Sequence, residues 1–172
     1  MLRNYLKEFL VKRKVKNSLL TERTLACSDV VETVGLLIDE DYFLEKNKLI
    51  EEIISKGILK ENIKVLVYKN RATRKEGKEY SVCTPNNLNW KAEINNKAVA
   101  DFVNTDFDLL INYYDVEKAV LLVITHQSKA HFKVGFSSID KRLNDLTVTI
   151  NADNHQVFIH EMFRYLKILN KI

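Results

Sequence analysis

The chain has 172 residues, 46% apolar and 29% charged, with a net charge of +4. That length suits one domain able to bury about two-thirds of its unfolded surface. No apolar run reaches the roughly 18 residues that span a bilayer. The two cysteines, Cys27 and Cys83, have no CxxC spacing, which argues against a disulfide scaffold or a zinc cluster.

The first residues form a helix over 2–20, where Leu2, Leu6, Phe9 and Leu10 recur at helical spacing and supply the docking face. Lys7, Glu8, Lys12, Arg13 and Lys14 interrupt any signal-peptide core, so a cytoplasmic protein is expected. Residues 1–24 carry Arg3, Lys7, Lys12, Arg13, Lys14, Lys16 and Arg23 against Glu8 and Glu22, and are read as a basic helix appended to one domain, 25–172.

"VETVGLLID" (31–39) reads as a buried strand, and the following Asp39-Glu40-Asp41 as the acidic start of a helix, where carboxylates suit the free N–H groups. Phe43, Leu44, Ile50, Ile53 and Ile54 give the stripe of that helix, which Gly57 stops, and "IKVLVYK" (63–69) is the next strand. Residues 70–90 are polar and read as a loop with a second basic cluster, Lys69, Arg71, Arg74, Lys75 and Lys78. A short helix (96–104) and a strand, "FDLLINYY" (107–114), come next.

Residues 115–129 favour a strand by composition. Asp115 can cap a helix, however, and an α/β fold needs a crossover there, so a helix is predicted. "HFKVGF" (131–136) and "DLTVTIN" (145–151) are strands, and residues 154–171 a helix capped by Asp153, with Ile159, Met162, Phe163, Leu166 and Leu169 on its apolar face. The alternation predicts a three-layer α/β domain, Rossmann-like or flavodoxin-like, with a mostly parallel five-stranded sheet. The last two strands are candidates for an antiparallel edge.

"THQSKAHFKVGF" (125–136) holds two histidines, a serine and two lysines. No GxSxG elbow accompanies them, and His126/His131 and His155/His160 are five apart, off the i, i+3 or i, i+4 spacing of zinc ligands on one helix. The stretch therefore reads as a helix end, with Lys129 at the negative pole, followed by a strand. No catalytic residue, metal or cofactor is assigned. The first βα turn, "LLIDEDYF", is acidic and lacks glycine, so it repels phosphate and disfavours dinucleotide or Walker-type binding.

Two kinds of site remain. Lys12, Arg13, Lys14 and Lys16, with Arg71, Arg74 and Lys75, would contact phosphates, which makes a non-enzymatic module docking on RNA or a ribonucleoprotein such as the ribosome the leading expectation. A small-molecule binder or enzyme at the strand carboxyl edge would use Asp39, Lys69, Asn70, Tyr113, Tyr114, Ser137 and Ser138. A third reading places the first helix on an anionic membrane surface.

Several stretches in order, "TERTLACSDVVETVGLLID", "NLNW", "DFVNTDFDLLINYY", "SKAHFKVGF", "DKRLNDLTVTIN" and "YLKILNKI", span residues 21–172. In these the chain resembles an uncharacterised domain family of cytoplasmic flavobacterial (Bacteroidota) proteins. The resemblance implies that the basic helix is a variable leader and that "SKAHFKVGF" marks a shared structural junction. It carries over no catalytic or binding residue.

Overall fold

The computed structural model describes residues 2–19, 30–71 and 80–172. Among them are five helices and six strands. In chain order these are α1 (Leu2–Ser18), β1 (Val34–Asp39), α2 (Lys46–Ser55), β2 (Ile63–Tyr68), β3 (Ser81–Cys83), α3 (Lys97–Asn104), β4 (Leu109–Tyr113), α4 (Ala119–Gln127), β5 (Phe132–Phe136), β6 (Leu146–Val148) and α5 (His155–Ile168). All strands run parallel in the order β3-β2-β1-β4-β5-β6. This is the doubly wound Rossmann order, which reverses between β1 and β4.

Period-two alternation sorts the sheet's side chains between two cores. Leu36, Ile38, Ile111, Val134 and Phe136 pack against α2 and α5, while Leu37, Leu66 and Leu110 pack against α1, α3 and α4. Central strands β1 and β4 are buried throughout, as expected for a parallel sheet covered on both faces.

Among the described residues the sheet has six strands rather than five, and no antiparallel edge. β3 was hidden inside the polar 70–90 stretch because it is a three-residue edge strand with two half-buried positions. β6 pairs parallel with β5, Val134 opposite Leu146. Its connection makes a short 3-10 turn, Lys141–Leu143, in place of a hairpin turn.

The helix expected at 115–129 is present as α4, but its first residue is Ala119 and its N-cap is Lys118, not Asp115. Residues 119–125 are buried on every side, and a helix apolar all round needs cover on its outer face as well as on the sheet. α1 supplies part of that cover, through Val11, Val15 and Leu19. The expected docking residues Leu6, Phe9 and Leu10 are instead 51%, 54% and 42% exposed. The i, i+4, i+8 stripe further along the helix wins because it lies over α4. The boundary drawn at residue 24 falls outside the described residues.

Other boundaries moved for local reasons. α2 begins at Lys46 with Glu45 at its N-cap, so Asp39-Glu40-Asp41 do not cap it. Gly57, at φ +102°, does stop it. The N-cap of α5 is Asn154 rather than Asp153, and Leu169 is half-exposed while Phe158 takes a fully buried place.

The polar 125–136 stretch is a junction between α4 and β5. Lys133, 0% exposed, projects from β5 and donates to the carbonyls of Thr125 (2.6 Å) and Ser128 (2.8 Å). It is thus the cation at the negative end of α4, the role expected of Lys129, which is exposed. Thr125 continues inward: its hydroxyl donates to Asn112 (2.9 Å) and sits 2.7 Å from the Tyr114 hydroxyl. Asn112 in turn donates to Asn144 (2.8 Å). Lys133→Met should strip two buried carbonyls of their donor and lower unfolding free energy by roughly 1–3 kcal/mol, read by urea denaturation. A variant as stable as the parent would refute this role.

Candidate functional site

The carboxyl edge of the sheet is organised by one lysine. Asp39 shares the face of Leu37 on β1, the one that carries α4, and the N-cap residue of α4 is Lys118. The Lys118 ammonium donates to Asp39 Oδ1 (2.9 Å) and lies 2.7 Å from Oδ2, an ion-pair contact outside hydrogen-bonding geometry. It also donates to Asp41 Oδ2 (2.9 Å) and stands 4.2 Å and 4.7 Å from the ring centroids of Tyr68 and Tyr42. A cation at a helix N-terminus is unfavourable, and the two aspartates offset it. The acidic turn after β1 therefore holds the helix that follows the neighbouring strand β4 rather than capping its own.

Burial pushes the Asp39 carboxyl above its ordinary value of 3.8, outweighing the hydrogen bond and positive charge of Lys118. Glu40 goes the other way. Burial alone would raise it, but hydrogen bonds and charge from Lys46 and Lys69 together hold it below the usual range. Lys69 is thus engaged with Glu40, at 3.0 Å.

Beside Lys118 a cavity of about 450 Å³ opens on the β2 side. Four segments line it: α1 with Lys7, Glu8 and Val11; the end of β2 with Tyr68, Asn70 and Arg71; the turn after β3 with Pro85, Asn86 and Leu88; and the start of α4 with Lys118, Ala119 and Val120. Lys7 ties two of these segments together by donating to the carbonyls of Pro85 (3.0 Å) and Leu88. Asn70 is fixed by its own N–H to Asp41 (3.2 Å) and by the Tyr68 hydroxyl donating to its side chain (2.8 Å). Among the described residues three cations and one carboxylate face this space. Glu8 pairs with Lys12 (3.1 Å) and Lys118 with the aspartates. Arg71 is exposed at the rim.

On the other side of Asp39, at the switch point itself, lies a smaller crevice of about 200 Å³ lined by Tyr42, Phe43, Tyr113, Tyr114, Asp115 and Asp153 among others. Of the expected pocket residues, Asp39, Tyr113 and Tyr114 thus border this crevice and Asn70 the larger cavity. Ser137 borders neither and donates its backbone N–H to Val148. Ser138 bonds the Asp115 carbonyl. Lys118, Lys7, Pro85 and Leu88 were missed. They stand in segments read as leader, loop or helix body, and only the charge of Lys118 before the run "AVLLVI" hinted at a buried pair.

The basic residues are partly committed. Lys12 pairs with Glu8 and Lys16 with Glu117 (2.8 Å), Lys14 donates to the Lys91 carbonyl (2.7 Å), and Arg13 is exposed. Arg71 meets α1 at the cavity, while Arg74 and Lys75 lie outside the described residues. The histidines also have structural places. His126 bonds Ser18 of α1 (2.9 Å), and His131 pairs with Asp106 (2.9 Å) at the opposite edge of the sheet. The Ser128 hydroxyl accepts from Ala130.

Lys118→Met would leave Asp39, 3% exposed, buried without its cation, and should cost about 3–5 kcal/mol by denaturant titration. A loss below roughly 1 kcal/mol would mean the pair is not structural. A second test follows from the raised Asp39 carboxyl. As pH falls from its folded-state pKa towards 3.8, the native protein takes up this proton before the unfolded chain does, so that group adds stability in that window. Thermal melts of the parent and Asp39→Asn should show the parent gaining relative to the variant on acidification through it. A gap independent of pH would contradict the assignment.

No curated protein and no solved structure matches the chain. A family model does, over residues 7–169, beginning inside α1 and running through α5. The chain therefore belongs to the family of unknown function DUF6913, and α1 from Lys7 onward is part of what that family model covers.

Proposed function

We propose that the protein binds a small organic anion in the cavity between α1, the end of β2 and the start of α4. The observation that carries this reading is the cavity itself. Its volume of about 450 Å³ falls within the usual range for ligand sites, and it lies at the carboxyl edge where parallel sheets hold their ligands. Arg71 and the first turn of α4, whose N–H groups lack intrahelical acceptors, would meet the anionic end. Val11, Leu88 and Val120 would take the apolar body. Among the described residues the lining holds no Ser, Cys or His, and the reading is one of binding. RNA docking has less behind it, because Lys12 and Lys16 are ion-paired within the fold.

Thermal melts with inorganic phosphate, benzoate and a nucleoside monophosphate test this. A binder present at 100 times its Kd should add about 2.7 kcal/mol, a Tm rise of roughly 5–11 °C for a domain of this size. Arg71→Ala should abolish the shift without changing the unliganded Tm. No shift from any of the three at millimolar concentration, or a shift untouched by Arg71→Ala, would overturn the proposal.

A further inference from the structure

The first half of α1 carries an outer face of large apolar side chains that stand exposed. Val11, Val15 and Leu19 point to α4. Leu6, Phe9 and Leu10 emerge on the far side, each between 42% and 54% exposed. Helical spacing groups these three with Arg13, since residues three and four apart are neighbours on a helix surface. Lys14 lies one turn beyond Leu10, and its ammonium rests on the carbonyl of Lys91, which follows the half-exposed Trp90. Among the described residues no carboxylate lies against Arg13, Lys14 or the Lys91 ammonium, whereas Lys12 and Lys16 are both paired.

A surface helix normally turns its apolar stripe inward and its charges outward. Here large apolar side chains form a convex ridge bordered by uncompensated cations. We propose that this ridge is a docking surface for an anionic phospholipid bilayer. Leu6, Phe9 and Leu10 would enter the headgroup–acyl boundary, and Arg13, Lys14 and Lys91 would meet lipid phosphates. A ridge flanked by positive charge is complementary to a flat, negatively charged, deformable surface. A second copy of this chain would bring the same cations face to face and repel. No described helix is long and apolar enough to cross a membrane, so the attachment is interfacial and reversible. These residues do not line the cavity, so the inference stands apart from the ligand-binding proposal.

The test is co-sedimentation of the full chain with vesicles of phosphatidylcholine alone or mixed equally with phosphatidylglycerol. Binding is expected only to the mixed vesicles, falling as salt rises from roughly 50 to 500 mM. The pair Phe9→Ser/Leu10→Ser and the pair Arg13→Glu/Lys14→Glu should each weaken it by about tenfold or more. Lys60→Glu, on an exposed residue just before β2, should not. All substituted positions are at the surface, and matching circular dichroism melts confirm folding. Absence of binding to the mixed vesicles would overturn the proposal. So would binding that survives Phe9→Ser/Leu10→Ser, which would reduce it to general charge attraction. A concentration-dependent dimer in sedimentation velocity, abolished by Phe9→Ser/Leu10→Ser, would assign the ridge to a second copy instead.

Discussion

The rest of the structure depends on the need to bury α4 on all sides. "AVLLVIT" has no polar face, so the sheet alone cannot satisfy it. α1 covers it from outside, and α3 packs beside it in the same core. Two lysines then fix its ends. Lys133 closes the carbonyl end, where a cation and the helix dipole agree in sign. Lys118 opens the amino end, where they disagree, and is tolerated only because Asp39 and Asp41 are brought to it by β1.

That second arrangement explains the location of the cavity. In a Rossmann-ordered sheet the natural ligand position is over the β1 turn at the switch point. Here the turn is filled by Asp39, Asp41 and Lys118, and what remains is a crevice of about 200 Å³ with acidic residues around it. The larger space is displaced towards β2, under the first half of α1. The acidic turn and its lysine thus fill the switch point, and the larger cavity opens to one side.

Much of this was legible in the sequence where burial is one-sided or complete. Strands β1, β2, β4 and β5 and helices α2 and α5 declare themselves by apolar runs and 3.6-residue stripes, and Gly57 ends α2 as its freedom of φ requires. What was not legible depends on partners distant in sequence. β3 exists because β2 offers an edge, with Tyr68 opposite Cys83. The docking face of α1 is chosen by α4, more than a hundred residues later. Asp39 and Lys118 are 79 positions apart, and no local rule links an acidic turn to a lysine in the next half of the domain. Of the expected pocket, Asp39, Asn70, Tyr113 and Tyr114 do reach the sheet edge because strand ends always do. Assigning them to one cavity or the other required the third dimension.

α1 serves the core, the cavity and the outer surface at once. Its inner stripe is structural, since removing Val11 or Val15 would uncover α4. Its first half extends beyond that contact to the sheet edge, where Lys7 is tied to the turn after β3 and Glu8 and Val11 face the cavity. The outer ridge of the same half is Leu6, Phe9 and Leu10. A single helix cannot shift its outer face without shifting its inner one, because its backbone hydrogen bonds make it a rigid rod over this length. A displacement of the ridge would carry Lys7 and Val11, and with them the cavity wall. The helix that completes the core is also the one through which the surface and the interior site would be coupled.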